Sequence, residues 1–297
     1  MEHKDPLIIA VIKSRRFITI FLAVIIIVFI AFQANSFVGT VDKKAEYVYY
    51  VSQIMLAIFA MIGVVFAAWQ FHLSYKQVLA EDSLLKIQNA INLAQYYKDE
   101  ILSESTYVID IYKESGISGI LDDISFDNMK QFDKSEMEAT TLSIQKMGAI
   151  EEILKSDDFV RLIHKKEKEF FPESPLAKLG TLDKDTNKFT FSEEEKESLS
   201  HHFRHAHIAR TLNSLEYFAM NFQHGIAAES VVYDSLHQTY AKYMRVFYYD
   251  ISSVNTSKEN KYFSNAIYLY NLWYNRLREN EKASKKVSES SVHHPVS

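Results

Sequence analysis

Cysteine is absent from this chain. That excludes disulfides, thiolate nucleophiles and cysteine-based zinc sites. Glycine (7) and proline (4) are scarce, and β-rich folds with many tight turns need more of both. A strongly basic balance is missing too. Lys and Arg number 33 against 38 Asp and Glu, so composition gives no footprint for sequence-specific nucleic-acid binding. Phosphate-cradling loops of the GxxxxGKS/T and GxGxxG types do not occur, nor does HExxH. There is no nucleophile elbow, and the Arg–His spacing of all-α ribonuclease toxins is also missing. These absences lead us to expect a protein without catalytic residues, cofactor or enzymatic activity.

What is present begins with two uncharged apolar runs, Phe17 to Phe32 and Val51 to Trp69. Crossing about 30 Å of hydrocarbon takes about 20 helical residues, and both runs approach that length. The first lacks a small-x-small cleavage pattern and is long for a signal peptide, so it reads as a retained anchor. Lys4, Lys13, Arg15 and Arg16 precede it, and Lys76 and Lys86 follow the second run. The short connector carries Lys43 and Lys44 against Asp42 and Glu46. The positive-inside rule then places both termini in the cytoplasm of a multi-pass inner-membrane protein. Tyr47, Tyr49 and Tyr50 at one end of the second run, and Trp69, Phe71 and Tyr75 at the other, suit the two interfaces.

The expected organisation is all-α: a cytoplasmic N-terminus at 1–16, then a transmembrane helical hairpin at 17–71 with helices near 17–34 and 49–71. A cytoplasmic helical domain follows at 72–278, with a candidate internal linker at 173–191, and a disordered tail at 279–297. Within the second span, Ala57, Ala60, Gly63 and Ala67 share a face. Small residues let helices approach closely in lipid, so this face predicts packing within the hairpin or assembly of an active homo-oligomer. Leu84 to Leu102 has helical apolar spacing and reads as an extension of the span. Ser192 with Glu195 forms a capping box that opens a long helix ending near Gly225. A second box, Thr256 with Glu259, predicts a last helix from 257 to 278.

Two clusters carry candidate chemistry. In HHFRHAH, His201 and His205 are four residues apart on one α-helical face and could hold a metal through two imidazoles. A third ligand would come from His224 or His237. A packed or solvated face is the simpler reading. Arg210, Asn213 and Glu216 fall at i, i+3 and i+6 and predict one polar network with Asn213 bridging the charges. The aromatic run Tyr262, Phe263, Tyr270, Trp273 and Tyr274 reads as core or interface packing. Asn255-Thr256-Ser257 matches a glycosylation sequon.

The stretch Arg210 to Tyr240, with Arg210, Leu212-Asn213-x-Leu215-Glu216, Gly225 and Glu229, resembles a bacterial helical family found in antiphage loci. Ala90 to Leu102 and Lys261 to Arg276 are similar to its flanking parts. Members join a membrane hairpin to a cytoplasmic helical domain, and the layout is similar to the two-transmembrane effector of retron systems. The resemblance implies an abortive-infection effector that disrupts the inner membrane. It also implies silencing by a reverse transcriptase with its RNA–DNA product. The alternative expectation is a non-enzymatic membrane-anchored scaffold or sensor that recruits a partner through its helical domain.

Overall fold

The structure, a computed structural model, describes residues 41–141, 144–183, 188–257 and 261–292, with the backbone alone at 41–47, 140–141, 144 and 286–292. The first apolar run and the N-terminus lie outside these residues. Two compact units divide the chain at Leu79/Ala80. Among the described residues the fold is all-α apart from one two-stranded ribbon.

In the first unit the described residues form the start of helix α1 (Val41–Tyr96). By length and composition it is the one helix among the described residues able to cross a membrane, and none of its most apolar stretch is buried. Leu56, Val64 and Phe71 are each at least 70% exposed. A helix apolar on every side is normally covered by protein or by lipid. Ala57, Ala60, Gly63 and Ala67 are all exposed, and a Cβ added at Gly63 would meet nothing within 4 Å.

The second unit begins in the last turns of α1. After a π-turn at Tyr97–Leu102 come α2 (Ser103–Glu114) and α3 (Ile117–Asp122). A helical turn at Lys134–Glu136 and a π-turn at Met137–Thr141 precede α4 (Ile144–Lys155) and α5 (Asp157–Phe170). Strands β1 (Thr181–Asp183) and β2 (Lys188–Thr190) pair antiparallel, with Leu182 opposite Phe189. Next come α6 (Glu193–His202), a π-turn at Phe203–Ile208 and α7 (Ala209–Gln223). The described residues close with α8 (Glu229–Val246), α9 (Tyr248–Val254) and α10 (Ser264–Val292).

Local chemistry sets most of these boundaries. Ser192 accepts from the Glu195 N–H while the Glu195 carboxylate accepts from the Ser192 N–H, so the expected capping box starts α6. Gly225 has φ +65° in the turn after α7, where a left-handed residue ends a helix. Segment 173–191 is not a linker between domains. It carries a 3₁₀ turn (Pro175–Lys178) and the β1–β2 ribbon within the second unit. Gly180, at φ +80°, is required there, because a Cβ would stand 2.5 Å from Phe191 Cε1.

The last helix departs from expectation at both ends. It begins at Ser264 rather than 257, after Phe263 takes a left-handed φ of 58°; Glu259 of the expected box lies outside the described residues. Its free N–H groups go instead to Glu216 on α7, which accepts from Asn265 N (3.1 Å) and Ala266 N (2.8 Å). At the far end α10 continues to Val292, so the tail expected to be disordered is helical over 279–292. Glu, Lys and Ala there are good helix formers, Glu281 stands one turn before Lys285, and no proline interrupts.

The core is aromatic. Trp273 of α10 packs edge-on against Phe218 of α7 and against Tyr233 and Tyr240 of α8. Tyr97 reaches the same cluster through Phe218, Tyr240 and Tyr243. Each such buried ring contributes roughly 1.5–3 kcal/mol by leaving water. Tyr270 and Trp273 are thus core, whereas Tyr262 is 65% exposed. Asn255 is fully buried. It donates to Phe132 O and Tyr262 O and accepts from Tyr262 N, so the sequon asparagine is structural.

Candidate functional site

Helices α2, α5 and α6 with the following π-turn bring four ionisable side chains together. In an α-helix, residues five apart are rotated by about 140° from each other. The π-turn changes that relation: Ala209 N donates to Arg204 O, five residues back. His202 and His207 thereby approach each other, with ring centroids 5.2 Å apart at 78°. Glu167 of α5 faces both. Its Oε1 lies 3.8 Å from His202 Nε2 and its Oε2 lies 3.6 Å from His207 Nε2.

The surroundings orient these groups. His207 Nδ1 is 3.0 Å from Glu104 Oε1 on α2, and Tyr107 donates to Glu167 Oε2 at 3.0 Å. Phe171 stacks on the His207 ring at 5.3 Å, and Tyr107 lies 4.2 Å from it. Glu167 is 2% exposed and His207 5%, while the His202 side chain remains 40% exposed. The cluster is therefore closed on the protein side and open at His202.

Electrostatics follow from that enclosure. Burial works to raise the Glu167 pKa, but His207, Ser174 and Tyr107 outweigh it and hold the carboxyl at about 2. Burial works to lower the pKa of His207, and the Glu104 and Glu167 carboxylates reverse this and raise it. His202 is lowered, chiefly by burial. Burial, then Glu167, raises Tyr107 and keeps it a donor.

The structure places the residues that sequence spacing singled out away from this cluster. His201 and His205 do share a face, with rings 4.2 Å apart, but both are exposed. His237 is engaged elsewhere, its Nδ1 2.7 Å from Tyr233 O. Among the described residues, the group with metal-ligand proximity is Glu167, His202 and His207. The run HHFRHAH contained two of these three. Only the π-turn makes a five-residue separation the productive one, and nothing in composition announces a π-turn. Glu167 carried no sequence signal.

The Arg210–Asn213–Glu216 network also does not form. Arg210 is exposed and lies 3.9 Å from both Glu100 and Glu104. Asn213 is exposed and, among the described residues, bridges neither charge. Glu216 is drawn away to cap α10, its Oε1 also accepting from Asn265 Nδ2 at 2.6 Å.

A second feature is a cavity of about 450 Å³ walled by Leu154, Phe203, Leu212 and Tyr249, with Asp250 and Arg204 on its lining. Tyr112 donates to both Asp250 carboxylate oxygens at 3.0 Å. Burial raises the Asp250 pKa to about 7 against the opposing effects of Tyr112 and Arg204.

No protein-family model, no curated protein and no solved structure matches the chain. The family resemblance thus rests on this sequence alone. Its residues have structural roles here: Leu212 and Leu215 are buried, Glu216 caps α10, and Glu229 pairs with Arg276 at 3.2 Å.

Proposed function

We propose that this chain is an inner-membrane effector of a bacterial antiphage system, of the abortive-infection, retron type, which disrupts the membrane when released from a silencing partner. The observation that carries the reading is the exposed apolar stretch of α1, none of which is buried among the described residues. In water such a surface is unfavourable by about 25 cal/mol per Å², and a bilayer is the solvent that suits it. The reading adds the first apolar run as the other arm of a hairpin, places both termini in the cytoplasm, and assigns assembly to the face of Ala57, Ala60, Gly63 and Ala67. A reverse transcriptase with its RNA–DNA product is the proposed silencing partner. A trigger must favour the active state over the resting one, and loss of that partner supplies the difference.

The second reading, a membrane-anchored scaffold, draws on α10. Tyr268 (47%) and Leu272 (40%) leave an exposed apolar strip beside its buried face. Exchange of the hairpin for an unrelated one separates the two readings. The effector loses phage protection and infection-linked growth arrest on exchange, whereas a scaffold keeps both. Protection that survives the exchange overturns the effector reading.

A further inference from the structure

We propose that Glu167, His202 and His207 form a binding site for a divalent transition metal of the zinc class. Three observations converge on it. The first is spacing. Ligands held about 2.0–2.2 Å from a tetrahedral ion stand about 3.4 Å apart. Glu167 Oε2 lies 3.6 Å from His207 Nε2 and its Oε1 lies 3.8 Å from His202 Nε2. One ligand atom from each of the three residues stands within 4.8 Å of the others, so the set closes around one ion when the side chains draw together.

The second is an orphan. His207 Nε2 is buried and has no hydrogen-bond partner, although it points at a carboxylate oxygen. At 3.6 Å the pair is too long for a hydrogen bond and leaves the space that a shared cation fills. An unprotonated imidazole nitrogen aimed at a carboxylate is repulsive unless a proton or a metal cation sits between them, and the test below separates those two.

The third is the brace. Glu104 takes the Nδ1–H of His207 at 3.0 Å, which fixes the tautomer that presents the Nε2 lone pair to the site. A carboxylate behind a ligating histidine orients the ring and raises its basicity. Tyr107 does the corresponding work for Glu167. Two imidazoles with one carboxylate favour zinc or a similar ion over magnesium or calcium, which prefer oxygen donors. The exposed side of His202 gives the ion an entry path and leaves its fourth position to water. Bound there, the ion would tie α5 to the α6–α7 segment.

The site is independent of the membrane reading, and its test does not use activity. Full-length untagged protein in detergent is titrated with Co²⁺, whose visible absorption reports tetrahedral nitrogen and oxygen ligation, and bound metal is counted after dialysis against Zn²⁺. The wild type is expected to bind one equivalent. His202→Ala, at a half-exposed position, abolishes the absorption with the far-UV circular dichroism unchanged, and Glu104→Gln weakens binding about 10–100-fold. The double change His201→Ala with His205→Ala leaves binding intact. A wild type without stoichiometric metal overturns the proposal and makes His207 an imidazolium held between two carboxylates. Equal loss in the His201/His205 variant overturns it too, by placing the metal on the exposed pair.

Discussion

Removing the Glu216 carboxylate leaves the N–H groups of Asn265 and Ala266 without partners at the start of α10. A charged acceptor at a helix N-terminus satisfies these donors and opposes the helix dipole. Glu216→Ala is therefore expected to destabilise the second unit by about 1–3 kcal/mol, measured by urea unfolding followed through the buried Trp273. Unchanged stability would show that water replaces the cap without cost. Asp250 sets a pH dependence. Its folded pKa, about 7, lies above the ordinary carboxylate value because burial favours the protonated form. The folded state then binds this proton more tightly than the unfolded chain does. The resulting stability is fully present below the ordinary aspartate pKa and is lost as pH rises through about 7. Asp250→Asn removes that slope, seen as a flatter profile of melting temperature between about pH 4 and 7. A parallel profile in the variant would remove Asp250 as its source.

Among elements, helices were the most readable part of the sequence. The Ser192–Glu195 box marks the start of α6, and the apolar spacing from Leu84 marks the end of α1, because both are local properties of the chain. The π-turn at Phe203–Ile208 leaves no comparable sign, since one extra residue per turn is selected by tertiary packing of Phe203 and His207. The segment HHFRHAH was therefore legible as a histidine cluster, but the pair expected from it, His201 with His205, is not the pair that meets Glu167. The start of α10 was misplaced for a similar reason: its cap comes from Glu216, 49 positions away. In the first unit, the open face around Gly63 yields an element-scale prediction. Gly63→Leu with Ala67→Leu keeps α1 apolar but blocks close helix approach. Cross-linking in native membranes should show loss of the assembled species, together with loss of activity. Full activity with normal assembly would dismiss this face as the contact.

At the scale of the whole molecule, a helix with an exposed apolar stretch runs into a helical unit that has an aromatic core and three candidate metal ligands in proximity. Composition foresaw the all-α class and the apolar span, because solvent preference is summed over many residues and survives ignorance of contacts. Which residues meet across α2, α5 and α6 depends on long-range packing and was out of its reach. The proposed function requires the protein to act on the bilayer itself. Membrane potential, recorded with a voltage-sensitive dye in cells expressing the full chain with and without the reverse transcriptase and its RNA–DNA product, tests that claim most directly. Rapid depolarisation when the chain is expressed alone, suppressed by the partner, is the predicted result. Membrane-inserted protein with the potential intact in both cultures, and through phage infection, would contradict it.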